Sequence, residues 1–179
     1  DQGVAVIPFL DTQKAFGRRS LVRQQSGKIV VAVSCVFTDA TEHFCATRLL
    51  GRQGFYDIDS DNESHAETDG TIYLRHLFGF RDTALTTGAL GTYADRTSAT
   101  DIATYLSTPN ATYPNCNASI VGAPGGPTAM LDGIVLMRAM LGLTGDAVTN
   151  GVSFPAGTTR TTWTDIKTHL NTNCGMVLN

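Results

Sequence analysis

The chain has 179 residues, a formal net charge of -3 and 16 % charged residues, against about a quarter in an average globular domain. That balance excludes a basic footprint for nucleic acid and a polybasic patch for a membrane surface. A hydrophobic content of 42 % with 18 glycines argues against disorder, and no stretch approaches the ~20 apolar residues of a membrane span, so no membrane insertion is expected.

The chain opens with "DQGVAVIPFL", which carries no initiator methionine and reads as a processed product whose leader has gone. This run is apolar on both faces of a strand, so it needs cover on both sides. Val4, Val6, Ile7 and Phe9 are therefore expected to form an assembly arm that adds to a neighbouring sheet or groove. "GKIVVAVSCVFT" is a second continuous β-branched run, and "HFCATRLL" reads as its hairpin partner. Between the arm and these strands, "QKAFGRRSLVRQQSGK" gathers basic residues and reads as a solvated sheet edge and loop. Residues 1–50 thus form an N-terminal β segment with its arm.

Four cysteines, in a chain whose uncharged surface is filled by Thr, Ser and Asn, fit two disulfides in an oxidising compartment. Of three possible pairings, Cys35–Cys45 would cross-link a short hairpin and Cys116–Cys174 would lash together the ends of a long segment. In the loop-entropy model these contribute roughly 2.7 and about 4 kcal/mol. A zinc site is the competing reading, but no C-x-x-C or H-x-x-x-H spacing supports it. Sequons at Asn62, Asn110 and Asn117 permit N-glycosylation in a eukaryotic source.

"DIDSDNESHAETDG" (57–70) crowds carboxylates ahead of the apolar run "TIYLRHLFGF". Counted as an EF-hand loop from Asp57, positions 1, 3 and 5 are Asp57, Asp59 and Asp61. Position 7 is Glu63, which offers its backbone carbonyl, and the closing acid is Asp69, one residue late. Position 6 is Asn62, the next-best residue to glycine for a left-handed turn. Carboxylates that converge this closely repel unless a cation lies between them, so one structural Ca²⁺ is expected here. The competing reading is a solvated, Asp-rich lead into a helix.

Residues 51–179 contain an internal repeat, with copies over about 52–108 and 115–173. "TDGTIYLRHLFGFRDTALTTGAL" (68–90) matches "LDGIVLMRAMLGLTGDAVTNGVS" (131–153) at a constant offset of 63, pairing Asp69/Asp132, Arg75/Arg138, Gly79/Gly142 and Gly88/Gly151. One inserted residue later, "RTSATDIATYL" (96–106) lies over "RTTWTDIKTHL" (160–170). In each copy the first helix starts near the Asp, where a carboxylate suits the helix dipole, and stops at Gly79 or Gly142. Its apolar face is expected to run through Ile72/Tyr73, His76/Leu77 and Phe80 in one copy, and through Ile134, Met137 and Leu141 in the other. A short helical turn follows. The last helix opens on Ser98-x-x-Asp101 or Thr162-x-x-Asp165 and buries Ile102/Leu106 or Ile166/Leu170. Arg75 and Arg138 are expected to serve helix-end carbonyls or a carboxylate within the fold. In the second copy Ile120, Gly122 and Pro124 replace the loop acids. That loop is then closed by sulfur rather than by an ion.

The arrangement "YDIDSDN…TDGTIYLRHLFGF" followed by a partner copy resembles dockerin-type, EF-hand-like calcium modules, closest to the Asp-Gly-(x)4-Arg repeats of large bacterial secreted and surface proteins. The resemblance covers residues 52–173. It implies a helical pseudo-twofold pair of repeats, calcium as a structural ion held by Asp57, Asp59, Asp61, Asp69 and the Glu63 carbonyl, a secreted location, and a role in protein–protein docking. The longer loop, the absent loop glycine and the degenerate second site depart from that pattern.

No Gly-x-Ser-x-Gly elbow, phosphate-binding loop or dinucleotide fingerprint occurs, and His43, His65, His76 and His169 are scattered. The expected protein is α+β: N-terminal strands followed by a duplicated, mainly α-helical domain. It is read as a non-enzymatic, calcium-stabilised extracellular or cell-surface structural protein, a filament subunit whose partners are copies of itself or another extracellular protein. A dockerin-type module binding a separate scaffold one-to-one is the alternative, and a secreted hydrolase the third reading.

Overall fold

A computed structural model describes residues 14–23, 29–36, 42–49 and 54–178. The chain divides into two compact units, Asp1–Gly51 and Arg52–Asn179, the first of strands and the second helical. The arm residues Val4, Val6, Ile7 and Phe9 lie outside the described residues, as do the side chains of Cys35 and Cys45.

The first unit holds a three-stranded antiparallel sheet of order β1-β2-β3, with β1 at Lys14–Arg23, β2 at Ile29–Val36 and β3 at Glu42–Leu49. The β-branched run "IVVAVSCV" takes the centre, where both edges of its backbone are paired. β2 meets β3 in unbroken register from Ile29 opposite Leu49 to Val36 opposite Glu42. This register sets Cys35 opposite His43 and Cys45 opposite Val33. Within the basic segment read as edge and loop, Lys14–Arg23 is a ten-residue edge strand, and residues 24–28 lie outside the described residues. Its register slips between Phe16 and Arg19, where Gly17 and Arg18 are accommodated as a bulge. Glycine and charge are what an outer strand tolerates, so the composition of a loop is here the composition of an edge.

The helical unit contains α1 (Thr71–Leu77), α2 (Thr83–Thr86), α3 (Ala99–Ser107), α4 (Ile134–Met140), α5 (Asp146–Thr149) and α6 (Trp163–Thr168). A single π turn leads into α1 and another into α4, at Ala66–Gly70 and Ala129–Gly133, and a third follows α6. α1 and α4 end alike. Past α1, Gly79 takes φ +84° while the Phe80 N–H bonds the Arg75 carbonyl at 2.9 Å; past α4, Gly142 takes φ +81° and the Leu143 N–H bonds the Arg138 carbonyl at 3.0 Å. Ser98 and Thr162 cap α3 and α6 by accepting the N–H of Asp101 (3.4 Å) and Asp165 (3.3 Å). Arg75 donates to the carbonyls of Leu85 and Thr87, and Arg138 to those of Val148 and Asn150, so each arginine pins the short helix of its own half.

The halves meet where glycine permits it. A Cβ on Gly70 would come within 2.5 Å of Met137 Sδ, and a Cβ on Gly133 within 2.6 Å of Leu74 Cδ1. Each π turn therefore leans on the α-helix of the opposite half, and a side chain at either glycine would displace Met137 or Leu74 from this crossing. Around this crossing the core gathers Ile58, Ile72, Leu85, Ile102, Leu136 and Ile166, all fully buried. Tyr56 and Tyr73 meet edge to face at 5.3 Å, and the Tyr73 hydroxyl donates to the Ala118 carbonyl at the start of the second loop.

The apolar face expected for α1 holds at Ile72 and Tyr73, but Phe80 beyond its end is 48 % exposed. In α4 the buried positions are Val135, Leu136 and Ala139, while Leu141 is 64 % exposed. The run "IVLMRAML" is apolar at every position but Arg138, so periodicity gives it only a weak phase. Its buried side is set by contact with the other half.

Candidate metal centre

The 57–69 loop carries its acids inward. Asp57, Asp59 and Asp61 are buried at 3 %, 0 % and 8 % exposure, and each places a carboxylate oxygen within 4.8 Å of the other two. Alternation along an extended chain cannot do this, because it would place all three on one side in a row about 7 Å apart. Convergence comes from two left-handed residues, Ser60 (φ +67°) and Asn62 (φ +80°), which coil the segment. Each acid then accepts an N–H further along the chain: Asp57 from Asn62 at 3.1 Å, Asp59 from Asp61 at 3.2 Å, Asp61 from Glu63 at 2.9 Å. Asn62 thus adopts the left-handed conformation its loop position demands.

The loop is closed from outside by the segment after α2. The Gly91 N–H donates to Asp59 Oδ2 at 2.6 Å, and the Arg96 N–H to the Asp59 carbonyl at 2.8 Å. A Cβ at Gly91 would overlap Asp61 Oδ2, so this position must be glycine for the strap to lie so close. The Arg96 guanidinium donates to the Ile58 carbonyl and stacks 3.8 Å from the Tyr105 ring. Gly91 and Arg96 were not expected at the site. The recurrence of Arg96 at Arg160 is the sequence signal that marks the arginine.

Asp69 is fully buried, but its two oxygens serve the backbone. Oδ1 accepts the N–H of Ile58 (2.6 Å) and of Asp59 (3.3 Å); Oδ2 accepts the His65 N–H (3.0 Å) and the Thr68 hydroxyl (2.9 Å). Asp132 does the same work in the other half, accepting from Val121 (3.0 Å), Thr128 (2.8 Å) and the Ser119 hydroxyl (3.5 Å). No other acid lies in that second loop, so the task of this aspartate is to hold loop to helix, and it performs it with or without a cluster. The structure brings together Asp57, Asp59 and Asp61 and gives Asp69 a supporting place behind them. The side chain of Glu63 is exposed and pairs with His65 at 2.6 Å, leaving only its carbonyl for a loop role. This pairing raises the His65 pKa.

The electrostatics are those of crowded acids. Burial, followed by the charges of Asp69, Asp61 and Asp59, pushes the Asp57 carboxyl up to about 7. Burial likewise raises Asp61, and raises Asp69 to about 6. Asp57 Oδ1 is buried without a hydrogen-bond partner, an oxygen that costs about 1–3 kcal/mol while it stays unmatched. Three buried carboxylates with one orphaned oxygen are hard donors of the kind that hold Ca²⁺ or Mg²⁺, and the group can hold a metal ion.

A second cluster joins Cys116, His169 and Cys174. Here the cysteines form a disulfide with Cα atoms 4.9 Å apart, which removes their sulfurs as ligands. His169 Nε2 lies 3.6 Å from Cys174 Sγ, and burial, then Arg160, lower its pKa to about 4. In the second loop the Arg160 side chain donates to the carbonyls of Ser119 (2.7 Å) and Ile120 (2.6 Å).

No described helix is long and apolar enough to cross a membrane. No family model matches the chain, and neither the curated proteins nor the solved structures searched contain a match.

Proposed function

We propose that the protein is a calcium-stabilised extracellular structural module, a non-enzymatic building block that assembles with copies of itself. The observation that carries this reading is the convergence of Asp57, Asp59 and Asp61 within 4.8 Å, with one buried Asp57 oxygen left unmatched. Calcium would be held by those three carboxylates, with the Glu63 carbonyl beside them and Asp69 clamping the loop. An ion placed so deep, against backbone and core, serves stability. The Cys116–Cys174 disulfide fits an oxidising compartment, which supports secretion.

The two halves share the Asp69/Asp132, Arg75/Arg138 and Arg96/Arg160 hydrogen-bonding roles. We read them as a duplicated, dockerin-like pair in which an ion closes one loop and a disulfide the other. Assembly is assigned to the N-terminal arm because its apolar run demands cover. Thermal melting with excess calcium and with chelator, alongside light scattering against concentration, tests both parts. Calcium should raise the melting temperature and the protein should form species larger than a monomer. A melting temperature indifferent to calcium refutes the ion, and a monomer at every concentration refutes the assembly.

A further inference from the structure

The helical unit has a cleft of about 480 Å³ in which Met140, Leu143, Trp163 and Met176 supply apolar wall. Val177, also in the lining, is 89 % exposed, and Leu141, between two lining residues, is 64 % exposed. The wall also includes Gly54, Gly142 and Gly175 and the polar residues Asn62, Ser64 and Thr144. Among the described residues no basic side chain lines it, and the one charged lining residue, Asp57, contributes a carboxylate oxygen to the acid cluster. Such a surface has nothing to recognise a phosphate, a nucleic acid or an acidic peptide. It offers what an extended neutral segment needs: apolar contact for side chains, and glycine backbone that an incoming main chain can approach.

Outside the described residues, the sequence holds one long stretch of this kind. Between Gln2 and Leu10 there is no charged residue, and in an extended chain Ile7 and Phe9 share one side. Resting on the assembly reading above, we propose that residues 4–10 of one copy dock as an extended segment in this cleft of a second copy. The contact joins two different surfaces, so each subunit presents one arm and one cleft. Repetition of such a contact builds a ring or an open chain, according to the rotation between successive copies.

Full-length variants separate donor from acceptor. Phe9→Asp spoils the arm. Thr144→Arg, at an exposed lining position, fills the cleft, and Val177→Glu is a second cleft variant at an exposed site. Sedimentation in calcium should show each variant as a monomer, at concentrations tenfold or more above those at which wild type assembles. An equimolar mixture of Phe9→Asp and Thr144→Arg should form dimers and stop there, with a blue shift in the emission of Trp163, the chain's single tryptophan. If a cleft variant with wild-type circular dichroism assembles like wild type while Phe9→Asp stays monomeric, the cleft is overturned and the assembly reading stands. If Phe9→Asp also assembles like wild type, or wild type never assembles, both fall.

Discussion

Replacing Asp57 by Asn should stabilise the protein in chelator and lose that advantage in calcium, and both outcomes follow from the loop. In chelator the wild-type loop must hold its acids together unaided. The Asp57 carboxyl is raised to about 7 in the fold, against about 3.9 unfolded. The native state therefore binds this proton more tightly than the unfolded state. The stability it contributes is fully present below about pH 4 and is lost as pH rises through 7. Near pH 7.5 that loss amounts to about 4 kcal/mol at the 1.36 kcal/mol carried by each pKa unit. Asn keeps the shape, can accept the Asn62 N–H in place of the carboxylate, and adds donors among the remaining oxygens.

In chelator at pH 7.5, Asp57→Asn should gain about 3 kcal/mol, and at ~4 °C per kcal/mol its helical transition should move up by about 10 °C. In calcium that advantage is cancelled. An ion present at 100 to 1,000 times its Kd stabilises wild type by about 2.7–4.1 kcal/mol, and the variant, short of a ligand, loses most of this gain. Circular dichroism melts at 222 nm, with and without calcium, read the helical unit directly. A variant that is destabilised equally in both conditions would show that Asp57 is an ordinary buried polar residue, and the reasoning would fail.

Asp132→Ala should cost about 3 kcal/mol, because it strands the N–H groups of Val121 and Thr128 and the Ser119 hydroxyl; chemical denaturation should give the same loss with calcium and with chelator. His169, buried and held near pKa 4 against 6.5 unfolded, is depressed in the fold. Its contribution is complete above about pH 6.5 and is lost as pH falls through 4. Urea melts of His169→Gln and wild type should therefore converge by about 2–3 kcal/mol between pH 7 and pH 4.

Much of the helical unit is legible because its signals are local. The caps at Ser98 and Thr162 and the stops at Gly79 and Gly142 each depend on a residue and its immediate neighbours, and the structure places all four as the sequence implies. The Cys116–Cys174 pairing could be read from loop length and chain order. What stays hidden depends on distant contact. Asp69 looks like the last ligand of a calcium loop, and only its hydrogen bonds across eleven residues reveal a clamp. Gly91 reaches the acids from 32 residues away, and a lone glycine carries no mark of that. The buried side of α4 is similarly chosen by the Gly70 and Gly133 crossings. The offset of 63 would have transferred the correct phase from α1, since Ile72 and Tyr73 map onto Val135 and Leu136.

The disulfide and the entrance of the acid loop lie on neighbouring ground. The Phe55 N–H donates to the Cys174 carbonyl at 2.7 Å, and Gly54 packs so closely there that a Cβ would meet the Cys174 and Gly175 carbonyls at 3.3 and 3.2 Å. Cys174 in turn is bonded to Cys116, at the entrance of the second loop. The disulfide therefore anchors both loop entrances at once: the second covalently, the first through one backbone hydrogen bond two residues before Asp57. An ion binds only those conformations in which its ligands already converge, and its apparent affinity scales with their population. By restraining residue 55, the disulfide should raise that population, so that its reduction should weaken calcium binding by the acid loop. The acid loop can then tolerate like charges at close range because its entrance is held by a bond that does not depend on the ion.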